Sequence, residues 1–307
     1  MEAKCNLIID SCCDLPLEML EVEGVDLMNY NYILDGVTYP DDLYQSISPK
    51  EFYDNMRAGA SPTTSQVTMV DMTAAFTRAA QSGVPTVYLS MSSGISNNYS
   101  TACVLSEQVM TDYPGSEILV VDTQLGCTPE GLMVLEAIRQ RNMGLTATEM
   151  VKWAEEARYF INTMFMVDDL GALHRGGRLP KSVAVAGTAL NVKPLLNFDV
   201  NGSLGMTSVA RGRKKGLKQI ASFFEEARET DGSSMVLIGN ADCRKDAEKL
   251  AEEISKIDPT ANVIIHNVGV TIGSHVGAEM VSCSFWGQDR RESLSLADRI
   301  ARKVKGE

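Results

Sequence analysis

The chain has 307 residues, 44% of them hydrophobic, and carries 28 Lys and Arg against 40 Asp and Glu, a formal charge of −12. That length supports one large domain or two ordinary ones with a well-buried core, and the composition excludes a disordered chain, a collagen-like fibre and a small disulfide scaffold. The acidic total argues against nucleic acid as a partner, since its phosphates select a basic face.

The N-terminus reads MEAKCNLIIDS, with Leu7-Ile8-Ile9 its only apolar stretch. A signal peptide needs roughly 7–15 apolar residues and a membrane span about 18, so neither is expected and a cytoplasmic location is. Cys5, Cys12, Cys13, Cys103, Cys127, Cys243 and Cys283 form no Cys-x-x-Cys pair. Their odd number fits free thiols in a reducing compartment better than disulfides or zinc.

Asn6–Ile9 reads as a first strand ending in the polar turn Asp10–Asp14. Asp35-Gly36, between alternating apolar residues of Tyr30–Tyr39, is a hairpin signal. Ser48-Pro49-Lys50-Glu51 combines an N-cap, a first-turn Pro and an acid, which starts a helix. Thr86–Leu89 is a strand running into the Ser/Asn-rich 90–100, with a helix to Met110 after it. Glu117–Val121 is the next strand. Helices fit Pro129–Asn142 and, after the Thr146/Glu149 capping box, Thr148–Tyr159. Strand–helix alternation argues for a parallel sheet covered by helices, with ligands at the strands' carboxyl ends, at Asp10–Asp14, Ser90–Ser96 and Asp122–Gly126.

The second half differs. Asn162–Val167 is a strand, Gly176-Gly177 breaks the helix after it, and Asn201-Gly202 marks a hairpin within Leu195–Val209. A helix fits Arg213–Arg228, and the strands Met235–Ile238 and Asn262–Ile265 flank a helix at Cys243–Lys256. The expected fold is α/β in two domains. Residues 1–160 form an N-terminal α/β/α layer with a mostly parallel sheet, and residues 161–307 an α+β layer ending in a charged tail, Gln288–Glu307.

No Gly-x-Gly-x-x-Gly, Walker loop, His-Glu-x-x-His or Gly-x-Ser-x-Gly elbow is present, and no ligand spacing supports a metal. What stands out is hydroxyl density, in Ser61-Pro62-Thr63-Thr64-Ser65-Gln66 and in Ser90–Ser96. Hydroxyls and backbone N–H groups at strand ends suit an anionic oxygen, although the first cluster reads equally well as a cap and turn before a helix near Met69. His275, in Gly273-Ser274-His275-Val276-Gly277, reads as a loop residue whose flanking glycines admit a ligand. A lone loop His is more often structural or merely solvated. From His174 to Lys218 nine basic residues face one acid, a net of +8 that leaves −20 for the rest. Such an excess suits an anionic ligand, a phosphate, an acidic protein face or nucleic acid.

Taken together, these segments resemble a bacterial family. Asp10-Ser11-Cys12-Cys13-Asp14-Leu15-Pro16 is similar to the N-terminal Asp-Ser-x-x-Asp-Leu-Pro of the DegV family. Thr63-Thr64-Ser65-Gln66 resembles its Thr-Ser-Gln-Pro segment, and Ser92-Ser93-Gly94-Ile95-Ser96 its Ser-Ser-Gly-Leu-Ser segment. His174–Leu179 resembles its Gly-Gly-Arg-Ile motif, and Asn191–Pro194, Arg211–Lys215 and Ile272–Gly277 match three more in order. Val67 stands where the family has Pro, and Asn97-Asn98-Tyr99 where it has Gly-Thr-Tyr.

The resemblance implies a fatty-acid-binding protein, the lipid-carrying subunit of a fatty acid kinase in phospholipid metabolism, with the acyl chain in a tunnel between two domains. It implies that Thr64, Ser93 and His275 hold the carboxylate, with Thr63, Ser92 and Ser96 as close competitors, and that Arg178, Arg211 and Arg213 dock the kinase catalytic subunit. The expected ligand is a long-chain fatty acid, with no cofactor, no metal and no catalytic residue, and with room for transient membrane contact. The physics agrees, since a tail needs a dry apolar tunnel and a buried carboxylate needs hydrogen bonds. The other reading is a hydrolase or acyltransferase using Ser93 with His275.

Overall fold

A computed structural model describes residues 3–168, 170–179, 191–230, 235–293 and 304. β1 (Asn6–Asp10) and β6 (Thr86–Ser90) are almost wholly buried and lie at the centre of a parallel sheet ordered β2-β1-β6-β7, with β2 at Val25–Met28 and β7 at Ile118–Asp122. Near-continuous apolar runs are what a parallel sheet covered on both faces demands. Leu7, Ile9, Val87 and Leu89 face α4 (Thr128–Asn142) and α5 (Ala147–Ala157). Ile8 and Tyr88 face α2 (Met69–Ser82) and α3 (Asn98–Asp112).

A six-stranded sheet follows, ordered β10-β9-β8-β13-β11-β12 and antiparallel except for the last pair. Its strands are β8 (Ile161–Met166), β9 (Val192–Phe198), β10 (Leu204–Arg211), β11 (Met235–Asn240), β12 (Asn262–Asn267) and β13 (Val281–Trp286). One face packs on α7 (Arg213–Ala227) and α8 (Arg244–Ile257) through Val281, Cys283 and Phe285. The alternate residues Ser282 and Ser284 face α4, whose Thr128 they contact. α4 therefore lies between the two sheets. Its first half, Thr128–Val134, is buried, polar and apolar residues alike including Glu130, while Arg139 and Asn142 towards its end are exposed.

The capping signals form as read. The Ser48 hydroxyl accepts from the Glu51 N–H at 3.2 Å to start α1 (Pro49–Arg57), and the Thr146/Glu149 box closes both ways at α5. Asn201-Gly202 is not a two-residue hairpin loop. The Asp199 carboxylate accepts the N–H groups of Asn201 and Ser203 at 2.8 and 3.0 Å, which organises a five-residue connection over 199–203. A small sheet, β4-β3-β5, also forms. The expected hairpin supplies β3 (Asn31–Leu34) and β4 (Val37–Pro40), and Thr63–Ser65 adds β5. The fold class is the expected one, a parallel α/β layer followed by an α+β layer. The apolar run 183–190 and residues 294–303 and 305–307 of the tail lie outside the described residues. No helix among those described is long and apolar enough to cross a membrane.

Candidate functional site

The loops after β1, β6 and β7 gather at the carboxyl edge of the parallel sheet, where open α/β sheets bind ligands. Beside them lies a cavity walled by the loops after β6 and β7, by β5 and by strands of the six-stranded sheet. Its apolar wall includes Met91, Ile95, Phe165, Leu173, Phe198, Leu204, Ile272, Val276 and Met280.

Thr64 and His275 meet at this cavity, Thr64 Oγ1 lying 2.7 Å from His275 Nε2. Their positions come from distant parts of the chain. Thr64 is held in β5 by pairing opposite Tyr32. His275 sits on a short helix, α9 (Val270–Val276), and not in the expected loop. Gly269 offers no side chain to cap α9, and the Asp41 carboxylate does so instead, accepting the Thr271 N–H at 3.1 Å. Gly176, from the Gly-Gly-Arg segment after α6 (Gly171–Arg175), presses its backbone against the imidazole. A Cβ there would overlap His275 Nδ1, so no other residue fits without moving the ring.

Burial pushes the His275 pKa down to about 4, and the adjacent Arg178 charge acts in the same direction. The ring is therefore neutral at neutral pH. Its Nδ1 is buried without a partner among the described residues. A second polar pair, Tyr30 Oη and Ser96 Oγ, stands 3.2 Å apart on the same wall. Burial raises the Tyr30 phenol well above its usual range, so it keeps its proton. Arg178 also lines the cavity. Its Nε donates to the Ile95 carbonyl at 3.0 Å and its Nη1 to the Gly176 carbonyl.

The other hydroxyls read from the sequence go elsewhere. Ser93 is exposed. Its Oγ donates to Asp122 Oδ2 at 2.5 Å, its N–H donates to Asp122 Oδ1 at 3.0 Å, and it borders an outer cleft shared with Ser96 and Arg178. Ser92 is buried and donates to the Gly202 carbonyl at 2.7 Å, tying the β6 loop to the β9–β10 turn. Thr63 is exposed on β5. The Ser93–His275 pair that a hydrolase needs is not formed, because each is bonded to another group. Of the basic residues, Arg213 is committed to Asp246 at 2.5 Å and lies 3.7 Å from Asp168, while Lys193 pairs with Asp168 at 2.5 Å. Acids from other elements thus offset part of the +8 segment. Arg211 is exposed at the end of β10.

Beside the site the structure buries four carboxyls, Asp10, Asp14, Asp41 and Glu130. Burial raises Asp10 and Asp41 to about 6 and the other two well above their usual values. Asp10 is a loop organiser. Its oxygens accept from Cys12 N–H, Tyr88 O–H and Met91 N–H, each at 3.0 Å. Among the described residues no group of His, Cys, Asp and Glu is arranged to hold a metal ion.

Tyr30, the Asp41 cap and the pairing partner of Thr64 were not legible as site features. Only the hairpin around Asp35-Gly36 signalled that residues 30–41 fold back on themselves.

The family model described as "Uncharacterised protein, DegV family" matches residues 4–287. A DegV domain-containing protein of Clostridium perfringens is 32% identical over 92% of this chain and 98% of its own length. Among solved structures, one titled "Fatty Acid Binding of a DegV family Protein from Thermus thermophilus" superposes with a TM-score of 0.81 at 27% identity, covering 93% of this chain and all of that one. DegV of Bacillus subtilis, titled a fatty acid binding protein, gives 0.80 at 26% identity over 94% of this chain and all of that one.

Proposed function

The chain belongs to the DegV family, and from that premise we propose that it binds one long-chain fatty acid in the cavity, carboxylate at Thr64 and tail along the apolar wall. The observation that carries this reading is the Thr64–His275 pair, a polar contact set beside the cavity's apolar wall. Two relatives more than 25% identical are titled as binding fatty acids.

Thr64 has one proton, and a carboxylate accepts only. Once Thr64 donates to the carboxylate, its contact with Nε2 must run the other way, so neutral His275 carries its proton on Nε2 and donates to Thr64 Oγ1. His275 thus polarises the hydroxyl without placing a cation beside the acid. Arg178 supplies positive charge at the rim, and Ser96 with Tyr30 offers further hydroxyls. Affinity comes from the tail. At about 0.8 kcal/mol per buried CH₂, a dozen methylenes contribute about 10 kcal/mol gross, against the freedom lost on association. The head supplies direction.

The chain carries no nucleotide-binding signature, which fits a carrier that offers the carboxylate to a separate fatty acid kinase. In this reading the outer cleft beside Ser93, Ser96 and Arg178 is where the carboxylate is reached, and exposed Arg211 belongs to the docking face. Arg213 serves the fold through Asp246. Mass spectrometry of lipid extracted from purified protein tests the binding step. A long-chain acid at near-equal molar ratio is expected, and the absence of both a bound acid and uptake of added palmitate or oleate would refute it. Arg211→Glu tests docking. Phosphorylation of the carried acid by a partner kinase should fall while acid binding is kept, and unchanged phosphorylation would remove Arg211 from the docking face.

A further inference from the structure

Away from Thr64 and His275, and from Tyr30 and Ser96, the same cavity has a further polar feature that a plain alkyl tail does not use. Thr128 on α4, Thr163 on β8, and Ser282 and Ser284 on β13 are all buried, and three of them, Thr128, Thr163 and Ser282, line the cavity. Their hydroxyls form a linear chain. Ser282 Oγ lies 3.0 Å from Thr128 Oγ1, Thr128 lies 2.7 Å from Ser284 Oγ, and Ser284 lies 2.9 Å from Thr163 Oγ1.

Proton counting makes this chain informative. Four hydroxyls carry four protons, and three contacts between them use three. The Gly239 N–H, at 3.2 Å, adds a further donor to Ser282 and no acceptor. Gly239 can approach because it lacks a side chain, whose Cβ would lie 2.7 Å from Ser282 Oγ. The one hydroxyl that donates to no other holds the surplus proton. On Thr128 its acceptor is the Cys127 thiol, a weak one, and when the chain runs in a single direction it falls at an end, on Thr163 or on Ser282, both of them cavity wall. A buried donor without an acceptor is destabilising, so an acceptor in the cavity gains what that donor lacks.

We propose that the cavity selects acyl chains bearing an oxygen acceptor, a hydroxyl or keto group, away from the carboxyl end, read by the Thr128–Thr163–Ser282–Ser284 hydroxyl chain. The proposal rests on the fatty-acid reading and narrows its ligand class. Only a chain position that brings the oxygen to Thr163 or Ser282 benefits. At other positions the oxygen is buried against apolar wall and binding weakens.

The test compares dissociation constants of the delipidated full-length protein for stearate, a set of positional hydroxystearates and their keto analogues. At least one oxygenated isomer should bind about three- to tenfold more tightly than stearate, the yield of one hydrogen bond. In Thr163→Val, which keeps the side-chain shape, or in Ser282→Ala, the ratio of the two constants should collapse towards one. Every oxygenated isomer binding more weakly than stearate would overturn the inference, as would a preference that survives both substitutions. The wild-type ranking decides the matter even where a variant does not fold. Failure of stearate and all its analogues to bind would instead refute the fatty-acid reading on which the inference stands.

Discussion

Thr64→Val removes one oxygen and keeps the β-branched shape, so β5 retains its pairing with β3. In the complex the substitution deletes the donor to the carboxylate. A hydrogen bond to a charged group is worth about 1.5–3 kcal/mol, which predicts dissociation constants about 10- to 150-fold higher. In the free protein it strands His275. The ring already has an unpartnered Nδ1, and loss of the 2.7 Å contact leaves Nε2 buried and unpaired as well. That costs about 1–3 kcal/mol of stability. Displacement of a fluorescent fatty acid measures the first effect and thermal unfolding the second. Both should move, with binding stoichiometry unchanged. Wild-type affinity within twofold would refute the assignment of Thr64 to the carboxylate.

Ser93→Ala should change fatty-acid affinity less than twofold, because Ser93 is spent on Asp122; a loss as large as that of Thr64→Val in the same titration would return Ser93 to the head-group site. Gly176→Ala pushes a methyl into the His275 ring, so affinity should fall at least tenfold while circular dichroism stays that of the wild type, and intact affinity would show that the ring position is immaterial. Glu130→Gln probes the buried acids. The folded carboxyl titrates well above its ordinary 4.5, so between those two values the folded state holds one more proton than the unfolded and stability falls as pH rises. Gln removes that slope, so the variant should be more stable than wild type at a pH of about 8 and gain little at about 4; an equal gain at both would show that Glu130 is not held protonated.

Local chemistry was readable where its causes are local. Ser48 before Pro49 and Thr146 before Glu149 need partners only three residues on, and both caps form as expected. The strands of the parallel sheet announce themselves as unbroken apolar runs, because burial on both faces allows nothing else. The errors arise where the cause lies far along the chain. Thr63–Ser65 has no apolar alternation, and it becomes a strand because the hairpin at 31–40 offers an edge. α9 looked like a glycine-rich loop because its cap is Asp41, 230 residues away. Ser93 was the expected head-group residue and Ser96 its close competitor. They are separated by Asp122, which draws Ser93 outward, and by Tyr30, which meets Ser96 at the cavity wall. The local excess of basic charge likewise shrinks once Asp168 and Asp246 are brought to it by folding.

The central claim is that one acyl carboxylate sits at Thr64, with its tail in the cavity between the two sheets. A crystal structure of the protein with bound fatty acid addresses it directly. The account predicts continuous density with a carboxylate oxygen within hydrogen-bond distance of Thr64 Oγ1, His275 Nε2 on the same hydroxyl, and the tail against Phe165, Leu173 and Phe198. A cavity left empty at saturating acid, or an acid bound with its carboxylate away from Thr64, would contradict it.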